Sequence, residues 1–345
     1  MFKSRFLQLF IGLIVIIVGF SAWQLPHMPD DTVDTWTEEA EILQTEESGE
    51  DIREQIEKAQ EELDEPPVDA VIDDVWKGIP GYNGRLIDVR ASYENMQEQG
   101  HYAEELLVFQ DVSPEVEYED LPPTPFYKAN PNKPMVGFVI NVAWGNEHLP
   151  DILNELNEQE VRATFFLDGS WVRNQPRLAR MIKEEGHEIG NHAYSHPDMA
   201  ALSPEEIRSE LEDTNEIIDA TLNEQPEWFT PPSGSFNQEV VEIAHELDMY
   251  TVLWTVDTID WKNPDTNAMV DRVVNNIHPG AMILMHPTQP TAEGIGDIIE
   301  QIREQGLEIG TISSAMDENR VAPSQTTEDN EDEGEGDKFW YNEEN

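Results

Sequence analysis

Residues 135–167, MVGFVINVAWGNEHLPDILNELNEQEVRATFFL, decide the fold. MVGFVINVAW is a continuous apolar run, the pattern of a strand buried on both faces. Leu149, Ile152, Leu153 and Leu156 then recur at helical spacing. VRATFFL returns to a strand. A strand, a helix and a second strand in one short stretch form a βαβ unit, which sets the two strands parallel.

The alternation continues downstream. Residues 171–185 predict a second helix, and HEIGNH (187–192) a third strand. Ser203-Pro204 with Glu206 supplies an N-cap, a proline at the first helical position and a capping box. Ile207, Leu211 and Ile218 follow on one helix face. EWFTPP, YTVLWTVD, AMILMH and LEIGTI supply further strands, with helical stretches between them. The expectation is an α/β domain over residues 134–316, a distorted (β/α) barrel of about seven units rather than an open sheet. In such a barrel the ligand site lies at the C-terminal ends of the strands.

Residues 68–133 read as a small α+β subdomain ending in a proline-rich linker. Turn signals stand at Pro80-Gly81 and Asn83-Gly84; Leu86, Ile87 and Val89 suggest a strand, and residues 91–99 a helix. Pro122, Pro123 and Pro125 predict a stiff connection. Residues 29–67 are acidic and poor in aromatics, an expected solvated tether with a short helix where Ile52, Ile56, Ala59 and Leu63 share a face. In residues 1–28, Lys3 and Arg5 precede an uncharged apolar run over 6–23. That run is near the lower length for a spanning helix. The competing reading is a signal peptide, but Ser21-Ala22-Trp23 is a poor cleavage site. The expectation is a single-pass anchor in the cell membrane with the rest outside. Residues 317–345 read as a disordered acidic tail, broken by Phe339-Trp340-Tyr341, which is either a docking motif or without role.

Composition narrows the partners. The 345 residues carry 72 acidic and 20 basic side chains, a formal net charge of −52, and no cysteine. The absence of cysteine excludes a disulfide scaffold, a thiol nucleophile and iron–sulfur ligation. The charge argues against nucleic acid and against docking on an anionic lipid surface. It fits a solvated surface in a salty or alkaline exterior.

Several polar groups cluster at the expected strand ends. His192 and His196 in GNHAYSHP stand at i, i+4, a spacing that can grip a divalent metal, typically zinc, or serve structure alone. His286 ends MILMH, as an acid or base or as a cap. Asp257 and Asp260 in WTVDTIDW can orient a histidine or a substrate hydroxyl, or belong to turn chemistry. TPPSG (230–234) offers backbone N–H groups for an oxyanion, or is a loop.

GNHAYSHP, PPSG, WTVDTIDW and LMHP, in that order, resemble the polysaccharide deacetylases, the NodB-homology enzymes of carbohydrate esterase family four. VRATFFLDG is similar to that family's second strand. The resemblance covers about residues 135–315. INVAWGNEH, the apolar N-terminus and WKGIPGYNG are most similar to the sporulation-associated YlxY-type branch of Gram-positive spore-formers. The resemblance implies metal-assisted hydrolysis of N-acetyl amide bonds on N-acetylated cell-wall polysaccharide, peptidoglycan or chitin-like. It implies His192 and His196 as ligands of a divalent metal, zinc or a similar cation, and His286 as the acid for the leaving amine. Ser233 would supply the oxyanion N–H, Asp257 the supporting carboxylate, and Trp261 and Leu284 the acetyl pocket.

The departures from the family lie in its first motif, Thr-Phe-Asp-Asp-Gly. Here Asn141, Val142, Ala143, Trp144 and Gly145 stand in those places. The base becomes Ala143, the third metal ligand becomes Trp144, and the arginine that pairs with the base becomes Thr230. Losing a carboxylate together with its cation is coherent, because the cation alone would be stranded. Glu147 and His148 are the nearby substitutes, as base or ligand, or merely the solvated start of a helix. Two expectations follow: a deacetylase with a rearranged base, Glu147, or a pseudoenzyme that binds wall glycan or a wall-synthesis partner without turnover. An inert spacer explains the polar cluster least well.

Overall fold

The structure, a computed structural model, describes residues 48–321. The expected anchor, the first part of the acidic tether and nearly all of the expected tail lie outside the described residues. Among the described residues, no helix is long and apolar enough to cross a membrane.

The second half of the expected tether is a packed helix, Gly49–Leu63. Ser48 and Asp51 form a capping box at its start. Ile52, Ile56 and Ala59 are buried against Ile87 and Met96, while Leu63 stays exposed. Each fully buried aliphatic side chain contributes about 1.5–3 kcal/mol, which outweighs the repulsion between acidic groups on the opposite face. β1 (Val71–Asp73) and β2 (Lys77–Ile79) form a hairpin, and β3 (Gly84–Ile87) pairs antiparallel with β4 (Phe109–Val112). Val89 begins the helix Val89–Gln99 instead of extending β3, because Asp88 caps the Ala91 N–H at 2.9 Å.

The larger part alternates strands and helices. β5 (Met135–Val142), β6 (Thr164–Leu167), β7 (Glu188–Asn191), β8 (Trp228–Phe229), β9 (Tyr250–Thr251), β10 (Val256–Asp257) and β11 (Met282–Met285) form one parallel sheet, ordered β10-β11-β5-β6-β7-β8-β9. β12 (Glu308–Gly310) pairs with the first residues of β5, ahead of the stretch that pairs with β6. The architecture is a curled parallel half-barrel, α/β as expected. Strands alone do not close it, since β9 and β10 end the path.

The expected proline linker closes part of that gap. Phe126 N–H donates to Thr251 O at 2.9 Å, Leu253 N–H to Phe126 O at 2.8 Å, and Ala129 N–H to Gly280 O at 2.8 Å. Phe126 is 1% exposed. Because Val252 turns to pair with Phe126, YTVLWTVD divides into β9 and β10. The helix expected over 171–185 also divides, into Gly169–Asn174 and Pro176–Glu184, at a proline that has no N–H to continue the ladder.

Strand periodicity assigns the faces. Phe138, Ile140 and Val142 of β5 pack outward with Leu149, Ile152, Leu156 and Ile298 of the helices. Val139 packs inward with Phe166, Met282, Leu284 and Trp228. Asn141 and Ala143 continue the inward register of β5, and His286 continues that of β11.

Residues 317–321, expected to begin a disordered tail, are instead packed. Glu318 is buried, and its Oε1 accepts from Gly81 N–H at 2.9 Å and Tyr118 N–H at 2.8 Å. Arg320 pairs with Glu65 at 2.6 Å. Lys133, also buried, donates to the Ser314 and Asp317 carbonyls, and burial lowers its pKa below the ordinary lysine value. These bonds tie the N-terminal subdomain to the barrel.

Candidate active-site cleft

The inward residues at the C-terminal ends of β5, β7, β10 and β11 open into a cleft of about 490 Å³. Asn141, Ala143, Trp144, His192, His196, Ser233, Trp254, Asp257, Trp261, Leu284 and His286 line it. Its size is that of a small-ligand site.

His192 is 1% exposed, and its Nδ1 donates to the Thr230 carbonyl at 2.7 Å. Burial, and then the neighbouring His196, pull its pKa down to about 3. The ring is therefore neutral at physiological pH, with its lone pair on Nε2. The His196 ring lies 5.2 Å from it, centroid to centroid. His196 has φ 56°, a left-handed backbone that non-glycine residues adopt at some cost, typically about 1–3 kcal/mol.

His286 is held by Asp260. Its Nδ1 meets Asp260 Oδ1 at 2.8 Å, and its backbone N–H donates to Asp260 Oδ2 at 2.6 Å. Thr291 Oγ1 also donates to Oδ2, at 2.7 Å, and Asp260 is fully buried. The preceding Ile259 has φ 55°, a strained conformation for a β-branched residue. That turn brings Asp260, not Asp257, beneath His286. Asp257 instead accepts the Ile259 N–H at 2.8 Å while still lining the cleft. The supporting role expected of Asp257 therefore belongs to Asp260.

At the end of β5, Gly145 has φ 81°, and a Cβ there would lie 1.9 Å from the Pro287 carbonyl oxygen. Only glycine lets the two strand ends approach this closely. The approach lays Trp144 parallel to His286, with centroids 5.9 Å apart and planes 9° apart. Trp144 remains 46% exposed.

Ser233 lines the cleft in a left-handed turn (φ 54°), and Trp261 and Leu284 line it as well. Glu147 does not. Its side chain is mostly exposed and lies 3.8 Å from His148 Nε2. The cause is the neighbouring Asn146, whose Oδ1 accepts from Trp171 Nε1 at 2.7 Å and pins the loop so that Glu147 faces solvent. Asn141 and Trp254 were not singled out by motif. The inward parity of β5 is the signal that points to Asn141. Asn141 is 3% exposed, and its Oδ1 has no partner among the described residues.

A divalent metal at this site would find His192 and His196. A catalytic zinc takes three protein ligands and keeps one position open. Among the described residues, no group of three His, Cys, Asp or Glu side chains could hold a metal ion. Trp144 and Ala143 supply no donor where the family's carboxylates stand. The donor set does not fit the family's metal.

The polysaccharide deacetylase family model matches residues 128–252. The chain is 45% identical over 325 residues to the Bacillus subtilis protein YlxY, covering 92% of this chain and 99% of that one. It is 34% identical over 188 residues to a peptidoglycan-N-acetylglucosamine deacetylase of Bacillus cereus, covering 53% of this chain and 68% of that one. Among solved structures, it is similar to a wild-type protein of Bacillus anthracis described as a CE4 family pseudoenzyme. The TM-score is 0.73 and the identity 49%, over 78% of this chain and 96% of that one. A mutant of that pseudoenzyme, described as having restored enzymatic activity, matches at TM-score 0.73 and 48% identity, over 78% of this chain and 99% of the other. Sequence, fold and the cleft at the strand ends together make the chain a member of the polysaccharide deacetylase family.

Proposed function

We propose that the cleft holds an amino-sugar polysaccharide of the cell wall, and that the chain acts by binding it rather than by hydrolysing it. One observation carries this reading: Ala143 and Trp144 occupy the end of β5, where the family's motif places two carboxylates. Loss of a general base alone typically lowers a rate about 10²–10⁴-fold. What remains is the half that engages the sugar and its leaving group: His286 on Asp260, the Ser233 turn and the indoles of Trp144, Trp254 and Trp261. Indole faces stack on the apolar faces of sugar rings. The pseudoenzyme description of a 49%-identical neighbour supports the same reading.

The test is to incubate the full chain with N-acetylglucosamine oligomers and with peptidoglycan, and to measure acetate release beside binding. Binding without release is expected. Release that disappears in His286→Ala would overturn the reading in favour of a second one, a deacetylase with a rearranged base. That alternative is favoured by the Asp257 carboxylate in the same cleft and by the intact His286–Asp260 pair. Asp257→Asn would then abolish release.

For location, the reading is an anchor through residues 1–28 with the cleft outside the cell. Lys3, Arg5 and the apolar run over 6–23 support it. Because the chain has no cysteine, one cysteine introduced on the barrel surface can be probed with a membrane-impermeant maleimide. Labelling of intact cells is expected, and protection until lysis would refute the placement.

A further inference from the structure

We propose that the cleft selects the de-N-acetylated form of the glycan, holding a hexosamine ammonium on Asn141 Oδ1, the Asp257 carboxylate and the indole faces around them. This rests on the glycan-binding reading above and adds the chemical form of the ligand.

Asn141 supplies the first argument. Its side chain is buried in the cleft wall, and its Oδ1 has no hydrogen-bond partner among the described residues. Leaving such an acceptor unpaired is unfavourable, so the position calls for a donor from a ligand. The second argument is the rest of the lining. The His192 Nδ1 hydrogen is taken by the Thr230 carbonyl, which leaves Nε2 as an acceptor. Asp257 adds a carboxylate, and none of the lining residues is lysine or arginine. Trp144, Trp254 and Trp261 add three π faces that attract cations. The outer cation, Lys262, already stands 4.6 Å from the centroid of Trp261.

An ammonium answers this lining better than an acetamide does. It brings three N–H donors and a positive charge to two neutral acceptors and a carboxylate. An acetamide brings one N–H donor, and its carbonyl is a further acceptor. The net charge of −52 also concentrates a cationic glycan near the protein. The ligand would be the product of amide hydrolysis that removes acetyl groups from hexosamine residues. The chain would therefore act after such a hydrolase, as a reader of its product.

The experiment is calorimetric titration of the full chain with glucosamine trimer and with N-acetylglucosamine trimer at matched ionic strength and pH 6. Spermidine serves as a control for charge alone. The free-amine trimer should bind at least tenfold tighter than the acetylated one. That ratio should shrink to threefold or less in Asn141→Ala and in Asp257→Asn. Trp144→Ala, at an exposed position, should weaken the free-amine trimer without altering the melting temperature. Equal affinities, or preference for the acetylated trimer, would overturn the proposal and leave the glycan reading standing. No binding of either trimer would overturn both. Spermidine binding as tightly as the free-amine trimer, with the ratio unchanged in the variants, would reduce the effect to surface charge and overturn it. Stoichiometric zinc binding that competes with the trimer and is lost in Asn141→Ala would assign the acceptors to a metal and overturn it as well.

Discussion

On the β11 side of the cleft, Asp260 receives the His286 backbone N–H, the His286 Nδ1 hydrogen and the Thr291 hydroxyl. On the β5 side, Asn141 Oδ1 receives no hydrogen bond from the described residues, Ala143 offers no polar side-chain atom and Trp144 stands half in solvent. The first side is a closed hydrogen-bond network that shapes the loop as well as the site. The second carries only functional load, so replacing its carboxylates leaves no structural bond unmade. The difference explains how a deacetylase cleft can lose one chemical half and keep the other in place.

The largest effect should come from making the two sides alike. Ala143→Asp, Trp144→Asp and Thr230→Arg together should raise acetate release from N-acetylglucosamine oligomers at least about 100-fold, the usual worth of a general base. If a metal-supplemented assay shows no gain, the β5 side differs from the family in more than these groups.

Breaking the closed network is next. Asp260→Ala strands the His286 N–H and the Thr291 hydroxyl in a buried site, and should cost about 3 kcal/mol in urea unfolding. A loss below about 1 kcal/mol would mean that the network is not structural. Asn141→Ala, on the open side, gives the contrast and is the smallest expected effect. It removes an unpaired acceptor, a gain offset by the void left behind, and should change stability by less than about 1 kcal/mol.

Between these lies the pH dependence. His192 in the cleft wall has its pKa drawn down to about 3, and His187 beneath the sheet has its own drawn down to about 4, chiefly by burial. In the unfolded chain both take a proton near pH 6.5. Their contribution to stability is therefore complete above pH 6.5 and is lost as the pH falls toward 4. Each should give a slope of about 1.4 kcal/mol per pH unit in that window. His187→Phe should remove one such slope in urea unfolding measured between pH 7 and pH 5. An unchanged slope would show that His187 carries a proton in the folded state.

Much of the barrel is legible in sequence because its signals are local. The βαβ pattern of 135–167 and the capping box at Ser203 depend on neighbours a few residues apart. The histidines of the cleft are legible for a related reason. Strand parity sends alternate residues inward, so residues at the strand ends share one face. The N-terminal side is less legible. The helix carrying Ile52 and Ile56 is legible from their spacing, but acidic composition suggests a solvated tether where they in fact meet Ile87 and Met96, and the prolines suggest a linker where Phe126 fills the gap beside β9.

Sequence by itself determined the α/β alternation, the clustering of His192, His196 and His286 at strand ends, and the loss of the first-motif carboxylates at Ala143 and Trp144. Those are properties of residue identity and short-range spacing. Only the tertiary structure decided that Asp260 rather than Asp257 supports His286, that Glu147 faces solvent, and that Asn141 is left unpaired. Each of those outcomes depends on a loop backbone or on groups distant in the chain: the left-handed turn at Ile259, the Trp171–Asn146 bond, and the lack of a donor for Asn141 Oδ1 among the described residues. A hydrogen bond needs its donor and acceptor within about 3 Å, and no pattern along the chain specifies that distance.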